Sequence, residues 1–230
     1  MSFRYEKEML DPVAKWLTGR GFQVIAEYKT PHGICDIVAA CLNKRKVAQR
    51  LNLGQRKPVG SRFHISLLRE IPDDGTREPV SLADLQERYG GLLSKDRVLD
   101  CVTRLIEKKL VQAVDTHRYV RLNGWIPLHR RLMAIELKKT RVAEALRQAQ
   151  ANQEFATESY VALPKETACR VLTGGQLDAF SESGIGLISV SKESCRVVRR
   201  ARRSSAVKDN TTQMHCIEQF WRNWIRDKAT

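Results

Sequence analysis

Met133-Ala134-Ile135-Glu136-Leu137-Lys138-Lys139 is the stretch whose reading decides the fold. On a strand, successive side chains alternate faces, so Ile135 and Leu137 point one way and Glu136 and Lys138 the other. A carboxylate and an ammonium then stand side by side above an apolar layer. Glu-x-Lys alone fits any half-exposed strand, as an ion pair worth ~0–1 kcal/mol. Its neighbours give it weight. Upstream, Gly33-Ile34-Cys35-Asp36-Ile37-Val38-Ala39-Ala40 reads as a second short apolar strand interrupted by a lone acid. An unpaired carboxylate among apolar side chains is costly, so Asp36 calls for a reason. Downstream, residues 142–150 are good helix formers, and residues 159–164 read as another strand.

Ahead of Asp36, residues 4–19 carry Leu10, Val13, Ala14 and Leu17 at helical spacing. Pro12 is tolerated only in a first turn, so this helix either starts later than its periodicity or kinks there. Gly19 and Gly21 end it, and residues 22–28 form the first strand. The Pro31-His32-Gly33 turn leads into the strand of Asp36.

This order of elements resembles the restriction-endonuclease-like, or PD-(D/E)xK, nuclease superfamily. The resemblance implies an α/β fold with a restriction-endonuclease-like mixed β-sheet core flanked by helices. It implies that Asp36 and Glu136 are the carboxylates of a metal site, with the carbonyl of Leu137 as a further ligand. Lys138 matches the lysine that orients the attacking water or stabilises negative charge. A glutamate on the N-terminal helix matches Glu6, with Glu8 as its rival, and would bind a second ion directly or through water. A glutamine on the following helix matches Gln148, with Gln150 as its rival, and would position Lys138 or a phosphate. The implied cofactor is Mg²⁺ (or Mn²⁺). Such an ion takes oxygen ligands, lowers the pKa of bound water and neutralises phosphate oxygens, which phosphodiester hydrolysis requires.

One feature departs from the family pattern. About a hundred residues separate Asp36 from Glu136, where a hairpin needs only a handful. An inserted domain accounts for the gap, because hairpin ends are already close together. Residues 43–62 contain Lys44, Arg45, Lys46, Arg50, Arg56, Lys57 and Arg62 with no acid. They read either as a solvated connector or as a phosphate-contacting arm. In residues 61–125, apolar periodicity marks one helix around Ile65 to Ile71. A second is capped by Ser81 and stopped by Gly90-Gly91, and a third is capped by Ser94. A hairpin then flanks Asp115-Thr116-His117-Arg118. Three helices and a hairpin resemble the winged helix-turn-helix, in which the third helix enters the major groove and the hairpin touches backbone. The outward residues of the third helix are Lys95, Arg97, Asp100, Arg104 and Lys108. With Arg118 in the hairpin, its cations are the expected nucleic-acid contacts, the alternative being a protein-contact or dimerisation module. The expected division is therefore 1–42 core, 43–60 basic linker, 61–125 insertion and 126–230 core.

Past the core helix, residues 184–190 form an apolar strand and residues 195–203 are half strand and half basic run. Arg199, Arg200, Arg202 and Arg203 read either as an edge that discourages strand pairing or as a phosphate-binding stripe. The C-terminal helix carries Met214, Ile217, Phe220, Trp221, Trp224 and Ile225 at spacings of three and four. Docking on the body is its plain reading, and a homodimer contact the alternative.

The whole chain supports a polyanionic partner. Its 40 Lys+Arg against 26 Asp+Glu leave a formal net charge of +14, which favours nucleic acid, most readily double-stranded DNA. No transmembrane stretch or signal peptide is legible, so the expected setting is cytoplasmic with no membrane partner. Six cysteines and five histidines are dispersed without metal-pair spacing, and Gly174-Gly175 lacks the Lys-Ser/Thr of a phosphate-binding loop. The leading expectation is a metal-dependent DNA nuclease. A DNA-binding or protein-interaction protein on a silent nuclease scaffold is the alternative.

Overall fold

A computed structural model describes residues 3–75, 78–89, 93–122, 125 and 127–229. In chain order, a 3₁₀ turn (Glu6–Met9) leads into α1 (Leu10–Thr18), followed by β1 (Gln23–Thr30) and β2 (Gly33–Leu42). Then come α2 (Lys44–Asn52), α3 (Arg62–Glu70), β3 (Val80–Ser81), α4 (Leu82–Arg88), α5 (Lys95–Glu107), β4 (Val111–Ala113) and β5 (Arg118–Arg121). The chain returns through β6 (His129–Leu137), α6 (Val142–Asn152), β7 (Glu158–Pro164) and α7 (Lys165–Thr173). It ends with α8 (Leu177–Ser183), β8 (Gly186–Val190), β9 (Cys195–Arg199) and α9 (Asn210–Ala229). Pro12 lies in the first turn of α1, where its missing N–H costs no helical bond. The Gly90-Gly91 stop lies outside the described residues.

Two compact units result, Met1–Leu42 with His129–Gln213, and Asn43–Leu128 with Met214–Thr230. The first is mixed α/β, built on a six-stranded sheet in the order β1-β2-β6-β7-β8-β9. Its flanks are antiparallel hairpin partners, while β6, β7 and β8 run parallel. Parallel neighbours need crossovers, and α6 and then α7 with α8 provide them. Val13 and Leu17 of α1 pack with Ile37, Ile135 and Leu137 on one face of the sheet. Ala145 and Ala149 of α6, Val171 of α7 and Phe180 of α8 pack with Val161, Leu163 and Leu187 on the other. Both faces of the central strands are covered, which explains why β7 is buried along its whole length.

The second unit packs α3, α4 and α5 with a three-stranded sheet of order β3-β5-β4 around Leu67, Leu68, Leu85, Val102 and Leu105. Ser61, Ser81 and Ser94 each cap a helix, Ser81 in a reciprocal capping box with Asp84. Two findings depart from the division expected from sequence. Residues 43–60 are not a bare linker, because they hold α2 and group with the second unit, as does the C-terminal helix from Met214 onward. The physical tie is Arg50, read from sequence as part of either a solvated connector or a phosphate-contacting arm. Its guanidinium is fully buried, with both terminal nitrogens on Glu218 at 2.5 and 2.9 Å, and it lies over the Trp221 ring. Met214, Ile217, Phe220 and Trp221 of the apolar stripe of α9 are buried, while Trp224 and Ile225 are half-buried. No helix among the described residues is long and apolar enough to cross a membrane.

Candidate active site

Asp36 and Glu136 meet where β2 and β6 run side by side. Their strands are in register from Cys41↔Arg131 to Ile37↔Ile135, which leaves Asp36 and Glu136 as the next pair. The β1–β2 ladder keeps its register from Ala26↔Ile37 to Tyr28↔Cys35 and lacks only the pair between them, Glu27 with Asp36. Glu27 is a non-glycine with φ of 52°. A positive φ is costly for a side-chain-bearing residue, and such strain clusters at functional sites. Opposite Glu27, the Asp36 carboxylate accepts the backbone N–H of Leu137 at 2.7 Å.

Glu136 is almost fully buried, and its carboxylate accepts a 2.6 Å hydrogen bond from the side-chain amide of Asn152. Burial and then the charge of Asp36 push the Glu136 pKa up to about 7. Burial raises Asp36 as well, opposed by the Leu137 N–H and the charge of Lys138. Like charges this close cannot both ionise freely in a desolvated site, so the pair keeps a proton until the pH approaches 7. The thiol of Cys35 lies 3.5 Å from the Asn152 amide, and burial followed by the Glu136 charge holds its pKa well above the usual value. It is a poor thiolate and packs as an apolar group.

Lys138 follows the end of β6, its N–H bonded to the Ala162 carbonyl. Its buried ammonium stands 3.3 Å from Glu144 on α6 and 3.7 Å from Glu6. Glu6 also accepts the N–H of Lys139 at 3.1 Å, whereas Glu8 turns back to the N–H of Arg4. Of the two N-terminal glutamates, Glu6 is therefore the one at the site. Gln148 lies on α6 with its side-chain oxygen buried and unbonded, while Gln150 is exposed. The Lys139 side chain leaves the site for the carbonyl of Arg4. Leu137 meets Asp36 through its N–H.

Two residues that touch the expected site residues went unread in the sequence, Asn152 and Glu144. Their signal was present, since Glu144, Gln148 and Asn152 recur every fourth position of α6, a polar ridge beside the small apolar ridge of Ala145 and Ala149. As a donor set, two adjacent carboxylates with raised pKa values fit a hard divalent ion. Mg²⁺ is commonly held by one or two carboxylates with water and phosphate completing the shell. Among the described residues no group of three or more His, Cys, Asp or Glu is arranged around one point. Any ion here would thus depend on water or substrate oxygens for the rest of its shell.

The residues expected to contact nucleic acid behave unequally. Lys95, Arg97 and Arg104 are exposed on α5, and Arg104 pairs with Asp100. Lys108, expected to face outward, is half-buried, its ammonium donating to the carbonyl of Val59 at 2.7 Å. Arg118 pairs with Asp115 at the hairpin turn. Lys44 and Arg45 are exposed and Lys46 half-buried in the first turn of α2. Arg200, Arg202 and Arg203 are exposed, Arg203 donating to the carbonyl of Arg130, whereas Arg199 is half-buried with its Nε enclosed and unbonded.

No protein-family model matches the chain, and no curated protein matches it. Among solved structures, it is similar to a protein of unknown function from Silicibacter pomeroyi, at 10% identity and a TM-score of 0.45, over 100% of this chain and 91% of that one.

Proposed function

We propose that this protein is a metal-dependent nuclease of the PD-(D/E)xK kind that hydrolyses phosphodiester bonds in DNA, its helical unit serving as a winged-helix DNA-binding module. The observation that carries the reading is the pair of half-buried Asp36 and buried Glu136 with the Lys138 ammonium beside it. Placing two like charges together in a desolvated pocket destabilises a fold, and a sheet has no structural use for it. A phosphodiesterase has one. Asp36 and Glu136 would hold a single divalent ion, and the proton they share would leave as it binds. That ion would supply an activated water and charge neutralisation at the phosphate.

The chain's own residues have separable tasks. In the reaction a water oxygen bonds to phosphorus, the bond from phosphorus to one ester oxygen breaks, and the departing oxygen takes up a proton. Lys138, fixed by Glu6 and Glu144, places a positive charge where negative charge builds on the phosphoryl oxygens. Asn152 fixes the Glu136 carboxylate so that its free oxygen keeps one direction. Gln148, with a buried unbonded oxygen and an amide donor on the same face of α6, would position a water or the phosphate. In the second unit, Lys95, Arg97 and Arg104 line the outer side of α5, the element that reads bases in winged helices.

Supercoiled and single-stranded DNA incubated with the protein in Mg²⁺, Mn²⁺ or chelator test the reading. Cleavage in either metal, none in chelator, and loss of cleavage in both Asp36→Asn and Glu136→Gln are the expected result. Cleavage that survives both substitutions, or none with any divalent ion, would overturn it.

A further inference from the structure

The parallel strands β6, β7 and β8 end on the same side of the sheet, and such carboxyl ends are where ligands settle in α/β sheets. The carboxylate pair and Lys138 occupy the end of β6. At the end of β8, between α7 and the turn into β9, lies a cleft of about 660 Å³ that the proposed chemistry does not use. The two are neighbours. The Thr167 hydroxyl of α7 donates to the carbonyl of Lys139 at 2.8 Å, and the residues on either side of it, Glu166 and Ala168, line the cleft.

The lining is unlike a phosphate site. Lys165 and Arg196 are balanced by Glu166 and Glu193, so its charges cancel. Phe3, Leu172 and Val190 give it apolar walls, and Ser189 and Ser191 line it, the Ser191 hydroxyl held in the turn by Glu193 and Ser194. Neutral, partly apolar and of small-molecule size, it suits a nucleobase better than a backbone. A second observation points the same way. Tyr5, two residues after Phe3 of the wall and one before Glu6, is half exposed, and the Arg4 guanidinium and Lys7 ammonium lie over its ring, 5.2 and 5.7 Å from the centroid. An exposed aromatic whose covering cations can move onto a phosphate stacks an unpaired base in their place.

Resting on the nuclease reading, we infer that the substrate carries an unpaired nucleotide beside the scissile phosphate, as at a strand end, flap or bubble. Tyr5 stacks an unpaired base and the cleft beside α7 receives one. A fully paired base cannot enter, because its partner and its stack hold it.

The test is binding in chelator, where cleavage plays no part. Labelled DNA with a short single-stranded overhang, the matching blunt duplex, and single-stranded DNA are titrated by fluorescence anisotropy. The unpaired forms are expected to bind about tenfold more tightly than the blunt duplex. Tyr5→Ala should remove most of that preference and leave blunt-duplex affinity unchanged, and Tyr5→Phe should retain it. Cys169, exposed on the cleft wall, serves as a footprint: bound overhang DNA should slow its alkylation by maleimide several-fold, read by mass spectrometry, and blunt duplex should not. Equal affinities with unprotected Cys169 would overturn the inference while leaving the nuclease reading standing. No binding to any DNA in chelator would likewise overturn the inference, while the nuclease reading is decided separately by cleavage in Mg²⁺ or Mn²⁺.

Discussion

Two charged clusters, one fully buried and one half-open, divide the molecule's logic between them. In the second unit, Arg50 and Glu218 are both almost completely buried, opposite in sign, and bonded through both guanidinium ends. The second Glu218 oxygen also takes the Val59 N–H, and the Arg50 Nε donates to the Gln55 carbonyl. In the first unit, Asp36 and Glu136 share one sign, and although the Leu137 N–H and the Asn152 amide each serve one of them, their mutual repulsion favours keeping a proton. A matched pair stabilises by completing its own hydrogen bonds. A like-charged pair destabilises unless a proton or a cation intervenes. The first cluster is architecture, and the second is the basis of the function proposed above.

Breaking the matched pair should have the largest effect. Glu218→Ala leaves a buried guanidinium without its partner, and about 3–5 kcal/mol of unfolding free energy should disappear in a urea titration. A loss below about 1 kcal/mol would erase the contrast between the clusters.

The like-charged pair should answer to pH instead. In the unfolded chain Glu136 loses its proton near 4.5, and in the metal-free fold near 7. Between those values the folded state holds the extra proton, so stability falls as pH rises from about 4.5 to about 7 and is flat above. The loss is on the order of 3 kcal/mol for a shift of this size. Glu136→Gln has no proton to lose and should not show the decline, so at pH 8 without metal it should unfold at higher urea than the wild type. An identical pH profile in the variant would remove the shared proton from the account.

Two adjacent lysines sharpen the comparison at the scale of one residue. Lys138 lies between Glu6 and Glu144, while the Lys139 side chain leaves for the Arg4 carbonyl. Lys138→Ala should reduce the cleavage rate roughly a hundredfold, and Lys139→Ala only a few-fold. Comparable losses would mean that position in the pocket is not what matters. The smallest expected effect belongs to the exposed arginines after β9. Replacing Arg200, Arg202 and Arg203 by Ser should weaken DNA binding and flatten its salt dependence by at most about one unit of slope per residue that touches a phosphate. An unchanged slope would assign them to a solvated edge.

How much of this could be read from the chain follows the range of the forces involved. Strand alternation, a local rule, places Glu136 and Lys138 on one face and marks Asp36 as an acid where none should be buried. The helix ends follow from serine caps. Arg50 was illegible, because its partner lies 168 residues away and nothing near it in the sequence marks it for burial. The positive φ of Glu27 was illegible too, since glycine is the usual sign of that conformation. The choice between Glu6 and Glu8 turned on a backbone bond to Lys139, which no periodicity encodes. Asn152 and Glu144 sat in plain view as the polar ridge of α6, hidden only because polar helix positions are usually solvated.

The most direct test of the central claim needs no substrate. Mn²⁺ titrated into wild-type protein, Asp36→Asn and Glu136→Gln, at pH 6 and pH 8, reads the carboxylate pair itself. The wild type is expected to bind one ion, more tightly at pH 8 because the shared proton has then left, with the affinity lost in both variants. Mn²⁺ binding that is unchanged by the substitutions, or indifferent to pH, would contradict the account.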